Sequence, residues 1–535
     1  MTDTSLLHAL NDPRTTRRQF LALASAMGIG AAAATSLWTG GAQAATPQAA
    51  TPKRGGTLKV GIHSGNTSDT HDPGTYVTYS DIILTHTFRS YLTLIDTDGT
   101  LGGDVATEWS AAKGATEWTF KLTDRAVFHS GRKVTANDVV ASMNHHRGEK
   151  TTSAAKTLLQ DVTDILDNGD NSVTFKLGSA NADLPWLLTD YHLAIVPANA
   201  DGTANWQSAD GCGPYKLTNA EFGISFSLVR HDDWHLEGAY FDAVELLVLN
   251  DPNARQAALV TGDVDAVTLV ENKTLAFLQR DPNLAVENVP SASALTFPML
   301  CDVPPFDNLD VRNALKLSVD RNELIEKIAF GAATVGNDFH HSPAMPYWPD
   351  DIPQRQYDPD RAKSLLRKAG MQDLKVDLHI ADNVTSGAVD MCILYAERAK
   401  AAGIAINVVR VPNDGYYSEV WLKKPWCVVS WGARPTPDVM YSLAYKEGAA
   451  WNESRWINAR FNELLLQGKA ETNDALRAEI YREMGQIARD DGGTMIPFFP
   501  NWVYARRANV LRGAEIAASW PLDGARGASR WWFDS

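Results

Sequence analysis

The 535-residue sequence has few cysteines and no excess of positive charge. Its four cysteines form no C-x-x-C pair, which excludes a disulfide-rich scaffold and several structural zinc sites: Cys212, Cys301, Cys392 and Cys427. The 49 Lys and Arg residues stand against 64 Asp and Glu, so the net charge is −15. This acidity argues against a nucleic-acid-binding protein, whose affinity depends on clustered Lys and Arg over phosphates.

Catalytic and metal-binding signatures are missing as well. The sequence has no G-x-S-x-G, H-E-x-x-H, P-loop or G-x-G-x-x-G motif. The pairs His145-His146 and His340-His341 have no third ligand at a metal spacing, and adjacent side chains do not share a helix face. We therefore predict that the protein is not an enzyme and that it holds no metal and no cofactor.

The amino terminus has the pattern of an export signal. Arg17-Arg18 precedes an Ala/Gly-rich run, 22–37, that ends in the small-x-small sequence Ala42-Gln43-Ala44. This resembles a twin-arginine signal peptide over residues 1–44, cleaved near Ala44, and implies the twin-arginine translocase as an export partner. The alternative, a membrane anchor, fits less well because the run is dominated by Ala and Gly. We predict a soluble periplasmic protein with a disordered leader at residues 45–54.

The export route bears on the cysteines. Twin-arginine cargo crosses the membrane already folded from a reducing cytosol, so an obligatory disulfide is disfavoured. We predict mostly buried free thiols, although four cysteines allow three complete pairings and the sequence does not choose among them.

Beyond the leader, the pattern alternates between strands and helices. Short segments typical of strands lie at 56–61, 118–122, 173–177, 376–380, 404–409 and 427–431. One helical pattern begins at Asp310, a second runs from Asp358-Pro359 to Gly370, and a third covers 388–402. This alternation predicts an α/β fold with a mainly parallel sheet in the second half of the chain.

Seven stretches carry a resemblance to a known family. They are 101–109 (LGGDVATEW), 118–122 (WTFKL), 127–140 (VFHSGRKVTANDVV), 211–217 (GCGPYKL), 255–266 (RQAALVTGDVDA), 306–321 (FDNLDVRNALKLSVDR) and 357–370 (YDPDRAKSLLRKAG). In this order they resemble the signature regions of the family 5 extracellular solute-binding proteins of ABC importers, which include dipeptide-, oligopeptide- and nickel-binding proteins. Each stretch also has an ordinary packing role, so the resemblance says more about the scaffold than about the solute.

The resemblance implies a two-lobed periplasmic binding protein fold with a hinge between the lobes. We predict lobe I at residues 53–268 plus 500–535 and lobe II at 269–499. A small solute is expected to be captured as the lobes close, and the closed, monomeric protein to dock on an inner-membrane permease and ATPase complex.

The chemistry of the solute is predicted from the stretch 430–438 (SWGARPTPD). In peptide-binding relatives the matching strand ends in G-W-x-x-D, and that Asp pairs with the peptide ammonium. Ser430, Trp431 and Gly432 fit the pattern, but Arg434 occupies the place of the Asp. A guanidinium there favours a carboxylate or phosphate. Asp438, where the nickel-binding branch has a His, is either a displaced ammonium partner or a helix cap.

Four further residues are weaker candidates for ligand binding. Tyr191 and His192 either donate hydrogen bonds to the solute or are packed residues. Arg89, in the place of a family Glu, either supports an anionic solute or faces solvent, and Trp451 is either an aromatic wall or part of the core.

Three hypotheses therefore stay open. Family membership favours a short peptide. Arg434 favours a non-peptide polyanion, such as an opine-like conjugate or a metal–polycarboxylate chelate. A periplasmic hydrolase is the third, for which we can name no nucleophile–base pair.

Overall fold

The computed structural model of the protein describes residues 51–534 except 113, 383, 386, 414 and 415. The predicted signal peptide and most of the predicted leader lie outside the described residues. The chain from Lys53 onward forms one compact body. Within the described part of the chain, we find no helix whose length and hydropathy would let it span a bilayer.

The strands, in chain order, are β1 (Thr57–Ile62), β2 (Thr93–Ile95), β3 (Leu101–Gly103), β4 (Ala106–Ala112), β5 (Glu117–Leu122), β6 (Val162–Asp167), β7 (Ser172–Leu177), β8 (Tyr215–Glu221), β9 (Ser225–Arg230), β10 (Ala243–Val248), β11 (Ala266–Val267), β12 (Leu284–Val289), β13 (Ala294–Pro298), β14 (Ala333–Val335), β15 (Lys375–Ile380), β16 (Ala405–Arg410), β17 (Val429–Trp431), β18 (Thr494–Pro500), β19 (Trp502–Arg507), β20 (Val510–Leu511) and β21 (Trp532–Phe533). The helices are α1 (Tyr79–Phe88), α2 (Ala136–His145), α3 (Leu184–Leu187), α4 (Pro252–Thr261), α5 (Leu275–Leu278), α6 (Leu309–Leu317), α7 (Arg321–Lys327), α8 (Pro359–Lys368), α9 (Ala388–Ala399), α10 (Tyr416–Glu419), α11 (Pro437–Ala444), α12 (Ala459–Ala470), α13 (Asp474–Asp491), α14 (Pro521–Gly524) and α15 (Gly527–Arg530).

The first lobe is built on a seven-stranded mixed sheet. Its strand order is β12-β19-β11-β1-β10-β9-β8, and β1 runs parallel to both β10 and β11. An antiparallel sheet, β4-β5-β7-β6, covers a separate hydrophobic core in the same half of the chain. Because β1 and β11 are parallel neighbours, the residues that follow them meet at one edge of the sheet.

The second lobe has its own core, a four-stranded antiparallel sheet and a two-stranded parallel sheet. The strands β14-β18-β13-β17 pair antiparallel, whereas β15 and β16 pair parallel, and Cys427 bridges His379 in the parallel sense. The prediction of a mainly parallel sheet is therefore wrong. The physical reason is that the chain enters the lobe through β13 and leaves it through β18, so these neighbours run in opposite directions.

The crossings between the lobes follow from strand pairing. Both β12 and β19 belong to the first sheet, while β13 and β18 belong to the second. We therefore propose to place the first crossing between Val289 and Ala294, later than the predicted boundary at 268–269. We place the second crossing, in the same proposal, between Pro500 and Trp502, next to the predicted boundary at 500.

Local signals in the sequence correspond well to the elements. Asp358 caps α8 by accepting a hydrogen bond from the N–H of Arg361, and Gly370 ends the turn with φ of 70°. The helix expected at Asp310 is instead capped by Asn308 and ends at Leu317, before α7 begins. All four cysteines are free; three are buried and Cys301 is partly buried, which confirms the prediction of mostly buried thiols.

Candidate functional site

Five aromatic side chains form a connected surface on the first lobe, which we call the first-lobe wall: His63, Tyr79, Tyr191, Trp502 and Trp520. The His63 and Tyr79 rings stack with centroids 4.6 Å apart, and Trp502 meets Tyr79 at 5.8 Å. Trp520 contacts Tyr191 at 5.5 Å. All five are partly exposed, so their ring faces are available to a bound molecule.

The position of His63 follows from the sheet. His63 comes directly after β1 and Thr268 directly after β11, and their side chains share a hydrogen bond of 2.6 Å. Burial, and then the Arg255 guanidinium, lower the pKa of His63 to about 4. The edge at the carboxyl ends of parallel strands is where α/β sheets bind ligands, and His63 is neutral there at pH 7.

Asp190 and His192 form an ion pair beside this wall. The His192 Nδ1 lies 2.6 Å from Asp190 Oδ1, and its Nε2 lies 2.7 Å from the Tyr76 carbonyl oxygen. Burial alone would lower the pKa of His192, but the hydrogen bond to Asp190 outweighs it and the pKa is raised. The pKa of Asp190 is lowered although burial opposes this, because His192 donates to it. Both ring nitrogens are engaged within the protein, which favours the packed-residue interpretation of His192.

Arg89 is not on the cleft surface. Its side chain is only 1% exposed, lies over the Phe88 ring, and donates to the Tyr76 hydroxyl (3.0 Å) and the His71 carbonyl oxygen (2.8 Å). The solvent-facing interpretation is therefore wrong, and the same burial leaves no room for contact with a solute. The buried hydroxyl and carbonyl partners explain why a charged residue is tolerated there.

The second lobe contributes a cluster of indoles, which we call the second-lobe wall: Trp421, Trp431 and Trp451. Trp431 ends β17, is 4% exposed, and donates its indole N–H to Glu453 Oε2 at 2.9 Å. Trp421 donates to the same oxygen at 3.0 Å. Trp451 packs on both other rings at 5.9 Å and is 42% exposed. Trp451 therefore lies at the surface of an aromatic cluster, not in the core.

Glu453 is buried beneath these rings. Burial raises its pKa to about 7, against the effect of the two indole N–H donors. His340 lies beside it, with its Nε2 3.7 Å from Glu453 Oε1, and burial lowers the pKa of His340 to about 3. Glu453 therefore fixes the orientation of the second-lobe wall through its hydrogen bonds.

Arg434 lies just beyond Trp431. Ser430 and Gly432, on either side of the tryptophan, are exposed, and Arg434 is half-buried. Its Nη1 donates to the carbonyl oxygens of Gly432 (3.1 Å) and Ala433 (2.9 Å), and its other nitrogens have no hydrogen-bond partner in the described part of the chain. The Arg434 donors that remain available can hold an anion.

The surroundings of Arg434 link the two lobes. Burial lowers the pKa of Arg434, against the opposing influence of Asp190 and Tyr191 from the first lobe. Arg434 in turn acts on the hydroxyl of Tyr191, whose pKa is raised mainly by burial. The structure thus brings together Arg434 and Tyr191, two predicted site residues that lie far apart in the sequence.

Asp438 has neither of its two predicted roles in this structure. The cap of α11 is Thr436, whose hydroxyl accepts from the Val439 N–H, so the helix-cap interpretation is wrong. The Asp438 carboxyl is 3% exposed and is not open to a solute. It faces Tyr481 and the first-lobe residue Asp183, and burial followed by repulsion from Asp183 raises its pKa to about 7.

Comparison with known families assigns the scaffold. Residues 100–453 match the family model described as bacterial extracellular solute-binding proteins, family 5 Middle. The chain belongs to this family. The family 5 assignment confirms the resemblance in the sequence, and relatives of the chain are binding components of transport systems, in agreement with the prediction that it is not an enzyme.

Three relatives of this family 5 protein illustrate its range. The chain is 24% identical to the peptide transport periplasmic protein SapA of Salmonella typhimurium over 63% of each chain. It is 23% identical to the oligopeptide-binding protein AppA of Bacillus subtilis, over 85% of this chain and 88% of AppA. The solved structure of AgaA from A. tumefaciens R10 in complex with agropinic acid has a TM-score of 0.69 at 22% identity, covering 90% of this chain and 99% of AgaA. The structural likeness confirms the two-lobed α/β fold.

Several cleft residues were missed by the sequence analysis: His63, Trp502, Trp520 and Glu453. His63 carried a usable signal, since it lies two residues after the end of the first predicted strand, 56–61. Trp502 lies just after the predicted lobe boundary at 500. Trp520 and Glu453 had no such marker, because their positions depend on packing between distant segments.

Proposed function

We propose that this family 5 protein is the periplasmic binding component of an ABC import system and that it binds a carboxylate-bearing solute. In this proposal Arg434 pairs with the carboxylate while the solute contacts the aromatic walls of both lobes. The observation that carries it is the half-buried Arg434 guanidinium, with donors left available next to the exposed backbone at Ser430 and Gly432.

The physical argument rests on charge in a partly dry cleft. A guanidinium offers parallel N–H donors that match both oxygens of a carboxylate. In a site of reduced dielectric this attraction is stronger than in water. A solute with a positive group at the same place would instead meet an unpaired like charge.

The solute class includes peptides and non-peptides. SapA and AppA are named for peptides, and AgaA was solved with agropinic acid. Asp438 is buried against the first lobe, so it supports no pairing with a peptide ammonium. We therefore favour recognition through a carboxylate, as in an acidic or carboxyl-anchored short peptide, an opine-like conjugate or a metal–polycarboxylate chelate.

The cellular setting belongs to the same proposal. Export by the twin-arginine translocase with cleavage near Ala44, periplasmic localisation, a monomeric state and delivery to a permease and ATPase complex are predictions. The names of the periplasmic relatives support the localisation.

Tryptophan fluorescence of the mature protein tests recognition of the carboxylate, since Trp431 is close to Arg434 in the sequence and Trp451 packs on Trp431. The three probes are citrate and Ala-Glu, which carry carboxylates, and Ala-Lys amide, which carries none. We expect citrate or Ala-Glu to bind and Arg434→Gln to weaken that binding about thirtyfold or more, because removing one partner of a desolvated charge pair costs about 2 kcal/mol or more.

Arg410→Gln is the matched control, since Arg410 is an exposed arginine of the second lobe paired with Asp382. It should bind the probes as the unmodified protein does. Preferential binding of Ala-Lys amide, or equal affinities for Arg434→Gln and the unmodified protein, would contradict the proposal. Native mass spectrometry of protein purified from periplasm would then identify the solute from its added mass.

A further inference from the structure

A buried polar contact joins the two lobes away from Arg434. Asp183, directly before α3 in the first lobe, accepts hydrogen bonds from the Thr436 hydroxyl and from Arg477 Nη2, both in the second lobe. All three side chains are at least 97% buried. A hydrogen bond of 2.8 Å from the Ala182 N–H to the Lys469 carbonyl oxygen runs beside this contact.

The second lobe holds Arg477 in place on its own. The guanidinium carbon lies 5.0 Å from the Tyr347 ring centroid and 5.5 Å from that of Tyr481. Arg477 donates to both hydroxyls, at 3.2 Å and 3.1 Å. The orientation of the Arg477 guanidinium is therefore set by second-lobe residues alone, before lobe closure brings Asp183 into contact with it.

Charge balance at this contact depends on a second carboxyl. Asp438 lies in the second lobe with its Oδ1 3.5 Å from the Tyr481 hydroxyl, which also accepts from Arg477. The carboxyls of Asp183 and Asp438 therefore belong to one cluster with the cations of Arg477 and Lys469. Opening the lobes removes Asp183 from this cluster and leaves Asp438 with Arg477 and Lys469, both of the second lobe.

Closure takes Asp183 and Arg477 out of water. A buried ion pair gains little over its desolvation penalty, but a buried charge without its partner is strongly unfavourable. Any closed arrangement in which Asp183 does not contact Arg477 would bury one of these two charges without its partner. The pair therefore selects one closed arrangement among those that the hinge allows.

We propose that Asp183 and Arg477 form an interlobe latch that determines the closed geometry, and through it the retention of the solute, without touching the solute. The inference rests on the solute-binding role of the family and not on the chemistry of the solute. Asp183 is a positioning residue in this proposal.

The test measures closure without any solute. The mature protein carries the substitutions Ser179→Cys and Ala470→Cys, at exposed positions on either side of the Ala182–Lys469 contact. A short bismaleimide joins the two introduced thiols when the lobes are closed. The crosslinking rate reports the closed population. We expect Asp183→Asn to slow crosslinking about tenfold or more, because Arg477 is then buried without its charged partner.

The matched control is Asp104→Asn. Asp104 is equally buried but pairs with His235 (2.9 Å) within the first lobe. Asp104→Asn should keep the crosslinking rate within about twofold of the rate of the protein that retains Asp104. Equal slowing by Asp183→Asn and Asp104→Asn, or no slowing by either, would overturn the latch. Because no solute is used, failure of the carboxylate proposal leaves this result intact.

A second variant gives a change that misfolding cannot produce. Asp438 faces Asp183, Arg477, Tyr481 and Lys469, and its raised pKa of about 7 means that its carboxyl ionises near neutral pH. At pH 8 we expect Asp438→Asn to crosslink faster than the unmodified protein, since a repelling charge beside Asp183 is removed. At pH 5.5, where the native carboxyl is protonated, the two rates should agree. Slower crosslinking of Asp438→Asn at pH 8 would overturn the proposed arrangement.

Discussion

The two lobes differ in whether their charged groups near the cleft are already paired within the protein. On the first lobe the charged groups are paired or enclosed: Asp190 and His192 bond to each other, and Arg89 is buried against Tyr76. On the second lobe Arg434 keeps donors available. The difference indicates that the first lobe supplies ring faces while the second lobe distinguishes the charge of the solute.

The largest effect is expected within the second-lobe wall. Trp431→Ala should lower the free energy of unfolding by about 3–5 kcal/mol, because it leaves a large cavity over Glu453 and removes one of its two indole donors. Trp451→Ala should cost less than about 1 kcal/mol, because that ring is largely at the surface. Guanidinium chloride unfolding measures both. Equal losses would mean that the wall is not anchored through Trp431.

A comparison of the two arginines sharpens the contrast between the lobes. Arg89→Met should lower the free energy of unfolding by about 1.5–3 kcal/mol, since the Tyr76 hydroxyl and the His71 carbonyl lose a charged donor. Arg434→Met should change it by about 0.5 kcal/mol or less, because its protein partners are backbone carbonyls close to solvent. Thermal or denaturant unfolding of the two variants decides this. A larger loss for Arg434→Met than for Arg89→Met would show that Arg434 is mainly a structural residue.

The smallest effect concerns pH and the first lobe. The pKa of His192 is raised above 6.5 in the folded protein, so its pairing stabilises fully below about pH 6.5 and is lost as pH rises through the raised value. The pKa of Asp190 is lowered below 3.8, so its contribution is lost only as pH falls through the lowered value. His192→Gln should therefore reduce the loss of stability on going from pH 6 to pH 9. Parallel pH profiles for the variant and the unmodified protein would show that the pair does not contribute.

Much of the scaffold could be predicted from local pattern. The cap at Asp358, the glycine at 370 and the strands near 118–122 and 173–177 are short-range features, in which propensity and side-chain capping act within a few residues. The sheet direction in the second lobe could not be predicted in this way. Which strands are neighbours depends on where the chain crosses between lobes, and no local pattern marks that.

The features of the candidate site also divide into those that the sequence shows and those that only packing creates. The sequence determined that Arg434 stands where a relative has an acid, that Trp431 precedes it, and that no catalytic motif is present. Whether an arginine is half-buried with donors available, like Arg434, or fully enclosed, like Arg89, was decided by tertiary structure. So was the contact of Asp183 with Arg477, 294 residues away. Charge and side-chain type belong to single residues, whereas burial and pairing are created only when distant segments pack together.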